Sequence, residues 1–267
     1  MTTNTDQTLP VHELLRRKSF IRSLNAADWI FALVIASAAV FVQTNIDFHM
    51  DIYEMVILWT SAGAAMLLGW FFKPMRWFIL LCLALAYGAL SLYRGDIGNA
   101  DGFLLKYFLS SQSAIMWQCA FVFFALFAYI SGAFVATRRN SETSTLLGMA
   151  TVFAWISAVA GFTGLLVRWH ESYLLRPDAG HIPVSNLYEV FILFMVITGL
   201  MYLYYEKKFA MHKLGVFVYV LMCGLVAFTV WYSIESGAGE IQPLIPALQS
   251  WWMKLHVPAN FIGYGGF

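Results

Sequence analysis

Of the six histidines, His256 has the surroundings best suited to metal chemistry. It follows Gln249-Ser250-Trp251-Trp252 and precedes Val257-Pro258. An imidazole there can stay neutral, open to a cleft and flanked by indole faces, as an axial ligand to haem iron requires. No second ligand stands at a regular spacing from it. His181, between Gly180 and Ile182-Pro183, sits in a constrained turn and reads first as a hydrogen-bonding group. His49 and His170 are weaker ligand candidates, and His12 and His212 lie near basic clusters where solvation accounts for them. Two acidic residues share a context, Asp51-Ile52-Tyr53-Glu54 and Asn186-Leu187-Tyr188-Glu189. In each, Asp or Asn can cap a helix while the Glu three residues on bonds back to the cap amide. Glu189 has a second reading as a pocket group, because an ionisable side chain in apolar surroundings is costly without a partner. Cys82, Cys119 and Cys223 lie in apolar runs without a CxxC pair and read as small packing residues. P-loop, HExxH and nucleophile-elbow patterns are absent from the sequence.

These residues need elements to hold them, and the composition says which kind. The 267 residues are 60% hydrophobic and 12% charged, with a mean hydropathy of +0.69. Soluble domains carry about 25% charged residues, so lipid must be the solvent for much of this chain. The formal net charge of +1 argues against a nucleic-acid partner. A helix crossing the bilayer needs about 20 apolar residues, and charge-poor windows of that kind recur seven times. They lie between Asp28 and Asp47, Glu54 and Lys73, Arg76 and Arg94, within Lys106 to Arg138, between Glu142 and Arg168, from Asn186 to Tyr205, and between Lys213 and Glu235. The runs are too continuous for barrel strands, which alternate. An all-α, polytopic transmembrane bundle of about seven complete spans is therefore expected, with Val257 to Phe267 as the start of an eighth. Truncation of the chain is the favoured explanation for that short last run. Residues 1–28 form an N-terminal segment without a cleavable leader, and 29–267 form the transmembrane helical domain.

Arg16, Arg17, Lys18, Arg22, Lys73, Arg76, Arg138, Arg139, Lys207, Lys208 and Lys213 fall on one side of these spans, eleven of the sixteen basic residues. That bias predicts a cytoplasmic N-terminus and places His181 and His256 on the external face. Trp29, Trp77, Tyr93, Trp169, Tyr204, Tyr205, Trp231 and Tyr232 lie near span ends, as interfacial aromatics do. Small residues at fourfold spacing (Ser61, Ala65 and Gly69; Ser157 and Gly161) predict close helix contacts.

The stretch Gly180-His181-Ile182-Pro183-Val184-Ser185-Asn186-Leu187-Tyr188-Glu189 resembles the GHxPxSNLYE motif of the CcsA/ResC family of cytochrome c biogenesis proteins, named CcsB in many bacteria and part of the System II machinery. Leu248 to Val257 is similar to the part of that family carrying its first external haem-ligand histidine. The resemblance covers residues 145–267 well, and the earlier spans fit by hydropathy alone. It implies a haem-handling subunit of a cytochrome c synthase in the inner membrane. Such a subunit takes haem b as substrate or cofactor and works with a ResB-like membrane partner. It presents haem externally for thioether attachment to the CxxCH cysteines of apocytochrome c. It also implies His256 as the axial ligand, with His181, Asn186, Glu189, Trp251 and Trp252 shaping the same face. The family's WWD segment, second external histidine and intramembrane histidine are missing from these residues, so the chain is not expected to be a complete synthase alone. A membrane transporter and a non-catalytic assembly subunit are the alternative readings.

Overall fold

The computed structural model describes residues 24–45, 52–138, 144–175 and 181–242, together with 252, 256, 259–260 and 262–264. Among the described residues there are helices and no strands. Seven long helices appear: α1 Ala26–Asn45, α2 Ile52–Phe71, α3 Lys73–Tyr93, α4 Ser111–Arg138, α5 Thr145–Leu175, α6 Leu187–Phe209 and α7 Gly215–Ser236. Six of them are long and apolar enough to cross a membrane, and α2 contributes the shorter apolar stretch Met55–Phe71. The chain is a multi-pass membrane protein, close to the seven spans expected. Helical residues also occur at 256, 259–260 and 262–264, in the run expected to begin an eighth helix. The Asp51–Glu54 cap, His12, His49 and Trp251 lie outside the residues whose side chains are described.

The chain divides into two compact units between Arg76 and Trp77. In the first, Asn25 and Asp28 form a reciprocal cap on α1: the Asn25 amide donates to Asp28 Oδ2 at 2.7 Å, and the Asp28 amide to Asn25 Oδ1 at 3.0 Å. The other Asp28 oxygen is paired with Lys73 and Arg76. Lys73 and Arg76 were read as boundaries lying outside the second and third spans. They lie instead in the first turn of α3, since only Phe72 separates it from α2. Gly69 shows why one of its small residues is small: a Cβ there would stand 2.3 Å from the Phe31 ring.

In the second unit α4–α7 pack around Val122, Ala125, Ala154, Ile192, Met195, Met222 and their neighbours. Lipid offers no hydrophobic gain for helix association, so close backbone approach must supply dispersion contacts. Glycines permit it along the α4–α5 seam. A Cβ on Gly132 would lie 2.8 Å from the Leu147 amide nitrogen, and one on Gly161 would lie 2.3 Å from Gln118 Cδ. Ser157, from the same expected small-residue stripe, donates to the Gln118 carbonyl at 3.2 Å. Cys82 is buried, and Cys119 and Cys223 are partly buried; all three are free thiols, as their apolar settings predicted.

Two helix ends use left-handed residues, Ala210 after α6 (φ 55°) and Gly237 after α7 (φ 62°). Glycine takes that conformation without strain, whereas alanine does so at a cost of about 1 kcal/mol.

Candidate functional site

The window expected to end before Arg168 runs on to Leu175, so Arg168, Glu171 and Ser172 all lie within α5. This extension builds the site. Arg168 is 1% exposed and Glu189 of α6 is 2% exposed. Arg168 Nε donates to Glu189 Oε1 at 2.7 Å. The rest of the guanidinium reaches the turn after α7, with Nη1 donating to the Gly239 carbonyl at 2.8 Å and Nη2 to the Glu240 carbonyl at 3.1 Å. It also stands 5.5 Å from the Tyr188 ring centroid. Isolated burial of either charge would cost several kcal/mol, and the pair survives because each partner's remaining hydrogen-bonding sites are filled.

Asn186 caps α6 as expected, accepting from the Glu189 amide at 2.9 Å. Glu189 departs from the expected box. Its carboxylate does not return to the cap amide; Oε2 accepts from the Ser185 amide at 2.8 Å and the Ser185 hydroxyl at 2.7 Å. The reason is Arg168, which draws the other oxygen inward. Asn186 Nδ2 also reaches the Ala238 carbonyl at 3.2 Å. His181 is buried, and its backbone is tied to Ser172: the His181 amide donates to Ser172 Oγ at 3.1 Å, with the His181 carbonyl 3.2 Å from that oxygen.

Glu171 stands one turn beyond Arg168 and serves α4. It accepts from Tyr93 Oη at 2.5 Å, from the Ser111 amide at 2.9 Å and from the Ser111 hydroxyl. A carboxylate in that place satisfies the open amides at the helix start and meets its positive end. A cavity of about 440 Å³ lies alongside, lined by Tyr93, Lys106, Ser111, Arg168, Glu171 and Glu240 among others.

His256 lies apart from this cluster in its bonding. Among the described residues no hydrogen bond joins it to His181, Asn186 or Glu189. Its ring is exposed, and Nδ1 stands 2.7 Å from the Trp252 carbonyl, which can only accept. In the neutral ring Nδ1 then carries the proton and Nε2 the lone pair. That is the tautomer a metal-ligating histidine needs, held by a backbone carbonyl behind it. Trp252 is exposed beside it. Among the described residues no three His, Cys, Asp or Glu side chains converge to hold a metal ion.

The opposite end of α6 holds a second buried acid. Glu206 accepts from Tyr129 Oη at 2.6 Å, Thr151 Oγ1 at 2.5 Å and the Tyr202 hydroxyl. His212 Nδ1 stands 3.4 Å from its other face. Arg168 entered the sequence reading only as a span boundary, and Glu171 and Glu206 were not singled out. A charge next to an apolar run was the available signal. Tyr202 and Glu206 also stand four apart on one helix face.

Residues 184–267 match the family model described as Cytochrome C assembly protein. The chain is similar to several proteins named cytochrome c biogenesis protein CcsA. That of Chlorella vulgaris is 32% identical over 139 residues, covering 45% of this chain and 42% of the relative. That of Synechococcus elongatus is 30% identical over 141 residues, covering 52% and 39%. That of Gloeobacter violaceus is 36% identical over 113 residues, covering 40% and 30%. The aligned stretch thus spans less than half the length of each relative. No solved structure matches the chain. The C-terminal part of the chain, which holds the motif around Asn186 and Glu189, is thus similar to cytochrome c assembly and CcsA biogenesis proteins over part of their length.

Proposed function

We propose that this chain acts in cytochrome c biogenesis as the haem-handling membrane subunit of a cytochrome c synthase. In this reading it resides in the inner membrane with its N-terminus cytoplasmic, and the Arg168 end of its helices faces outward. The observation that carries the reading is the state of His256: exposed, with Nδ1 bonded to the Trp252 carbonyl and Nε2 open to a ligand. Haem b supplies the iron and the two vinyl groups to which apocytochrome CxxCH thiols add. His256 holds the iron through Nε2. Trp251 and Trp252 offer ring faces to the macrocycle. His181, Asn186 and Glu189 shape the wall from which that segment emerges. A ResB-like membrane partner and apocytochrome c complete the assembly.

The test is purification of the chain with its ResB-like partner. A Soret band that survives washing is expected, together with clear loss of haem and of c-type cytochrome yield in His256→Ala. A complex that never retains haem, or a His256→Ala variant with full retention and yield, would overturn the reading.

A further inference from the structure

We infer that Arg168 is a positioning residue, which with Glu189 and Asn186 latches the turn after α7 and so sets where the segment bearing Trp252 and His256 leaves the helices. Three consecutive carbonyls of that turn, Ala238, Gly239 and Glu240, accept from Asn186 Nδ2, Arg168 Nη1 and Arg168 Nη2. The donors come from two other helices, two turns before the end of α5 and at the cap of α6. The turn has its own constraints as well. Gly237 is left-handed, the Glu240 amide donates to the Gly237 carbonyl at 3.0 Å, and a Cβ on Gly239 would stand 2.6 Å from Ser233 Oγ.

A guanidinium is the group that can do this. It spans a carboxylate and two carbonyls in one plane, whereas an ammonium is a point donor on a flexible stem. Glu189 holds the guanidinium in register, and Ser185 holds Glu189. The motif residues Asn186 and Glu189 thereby act on the downstream segment through hydrogen bonds to its base, with no ligand contact of their own. This inference rests on the reading of His256 as the haem ligand.

The test uses the full chain with its ResB-like partner in detergent. Arg168→Lys keeps the charge and loses the two-carbonyl reach. Asn186→Ser keeps a capping oxygen and loses the donor to Ala238, so it separates latching from helix capping. Hydrogen exchange needs no haem. The amides of 237–242 and of the peptide holding Trp252 and His256 should exchange about tenfold faster in Arg168→Lys, the loss of one charge-assisted hydrogen bond. Asn186→Ser should move the same peptides by a smaller factor, with the α4–α5 core unchanged in both. In the haem-loaded complex, Arg168→Lys should alter the axial-ligation spectrum while the core exchange stays as in wild type. Unchanged exchange at 237–242, faster exchange confined to 237–242, or a wild-type spectrum in Arg168→Lys each overturns the inference. Equal haem retention in wild type and His256→Ala instead defeats the ligand reading, and the exchange result then stands apart from it.

Discussion

Helix α6 carries a buried carboxylate in its first turn and another in its last, and the two are compensated differently. Glu189 meets a full countercharge, Arg168, inside a set of bonds that fixes both partners. Glu206, also 2% exposed, meets hydroxyls of Tyr129, Tyr202 and Thr151, which fill its lone pairs without bringing charge. His212 is a countercharge there only when protonated. The Arg168 end therefore joins helices through a charge pair that cannot lose one member cheaply. The Glu206 end joins them through neutral donors, each replaceable at modest cost. Rigidity therefore sits at the Arg168 end of α6.

The sharpest way to break this contrast is to remove each acid in turn. Glu189→Ala strands a buried guanidinium, and thermal unfolding in detergent should show a loss of about 3–5 kcal/mol. Glu206→Ala strands three hydroxyls and the neighbouring His212 ring but no permanent charge, and the same measurement should show about 1–3 kcal/mol. A larger loss from Glu206→Ala than from Glu189→Ala would reverse the comparison. Next in size, Ala210→Gly at the Glu206 end should raise stability by about 1 kcal/mol by relieving a left-handed alanine; no gain would mean that the turn tolerates the strain through contacts its φ does not reveal. The smallest effect belongs to Tyr219→Phe. The Tyr219 hydroxyl is buried without a hydrogen-bond partner among the described residues, 5.3 Å ring to ring from Tyr129. Its removal should leave the unfolding temperature unchanged or slightly higher, and a clear drop would show that the tyrosine cage depends on that hydroxyl.

The seven apolar runs were legible because each must exceed the length of a bilayer crossing, and every one became a helix. The cap at Asn186 was legible for a similar reason, since capping is local. Helix limits were less so. Charges were read as span boundaries, yet α5 passes Arg168 by two turns because Arg168 and Glu171 find partners across the fold. Lys73 and Arg76 were likewise read as boundaries outside the spans and turned out helical, paired to Asp28. A charge ends an apolar run in a sequence, whereas in a structure it ends one only if nothing neutralises it.

The residue types and their order alone established a polytopic helical membrane protein and the capped start of α6. Each follows from interactions within one turn or from the total apolar length of a run. The joining of Arg168 to Glu189 and to the turn at Gly239, the placing of Glu171 on the first turn of α4 and the cage around Glu206 came only with the tertiary structure. Those contacts link groups far apart in the chain, and no periodicity encodes them. Burial makes an uncompensated charge so costly that the fold must bring its partners to it, and which partners arrive depends on how the helices pack.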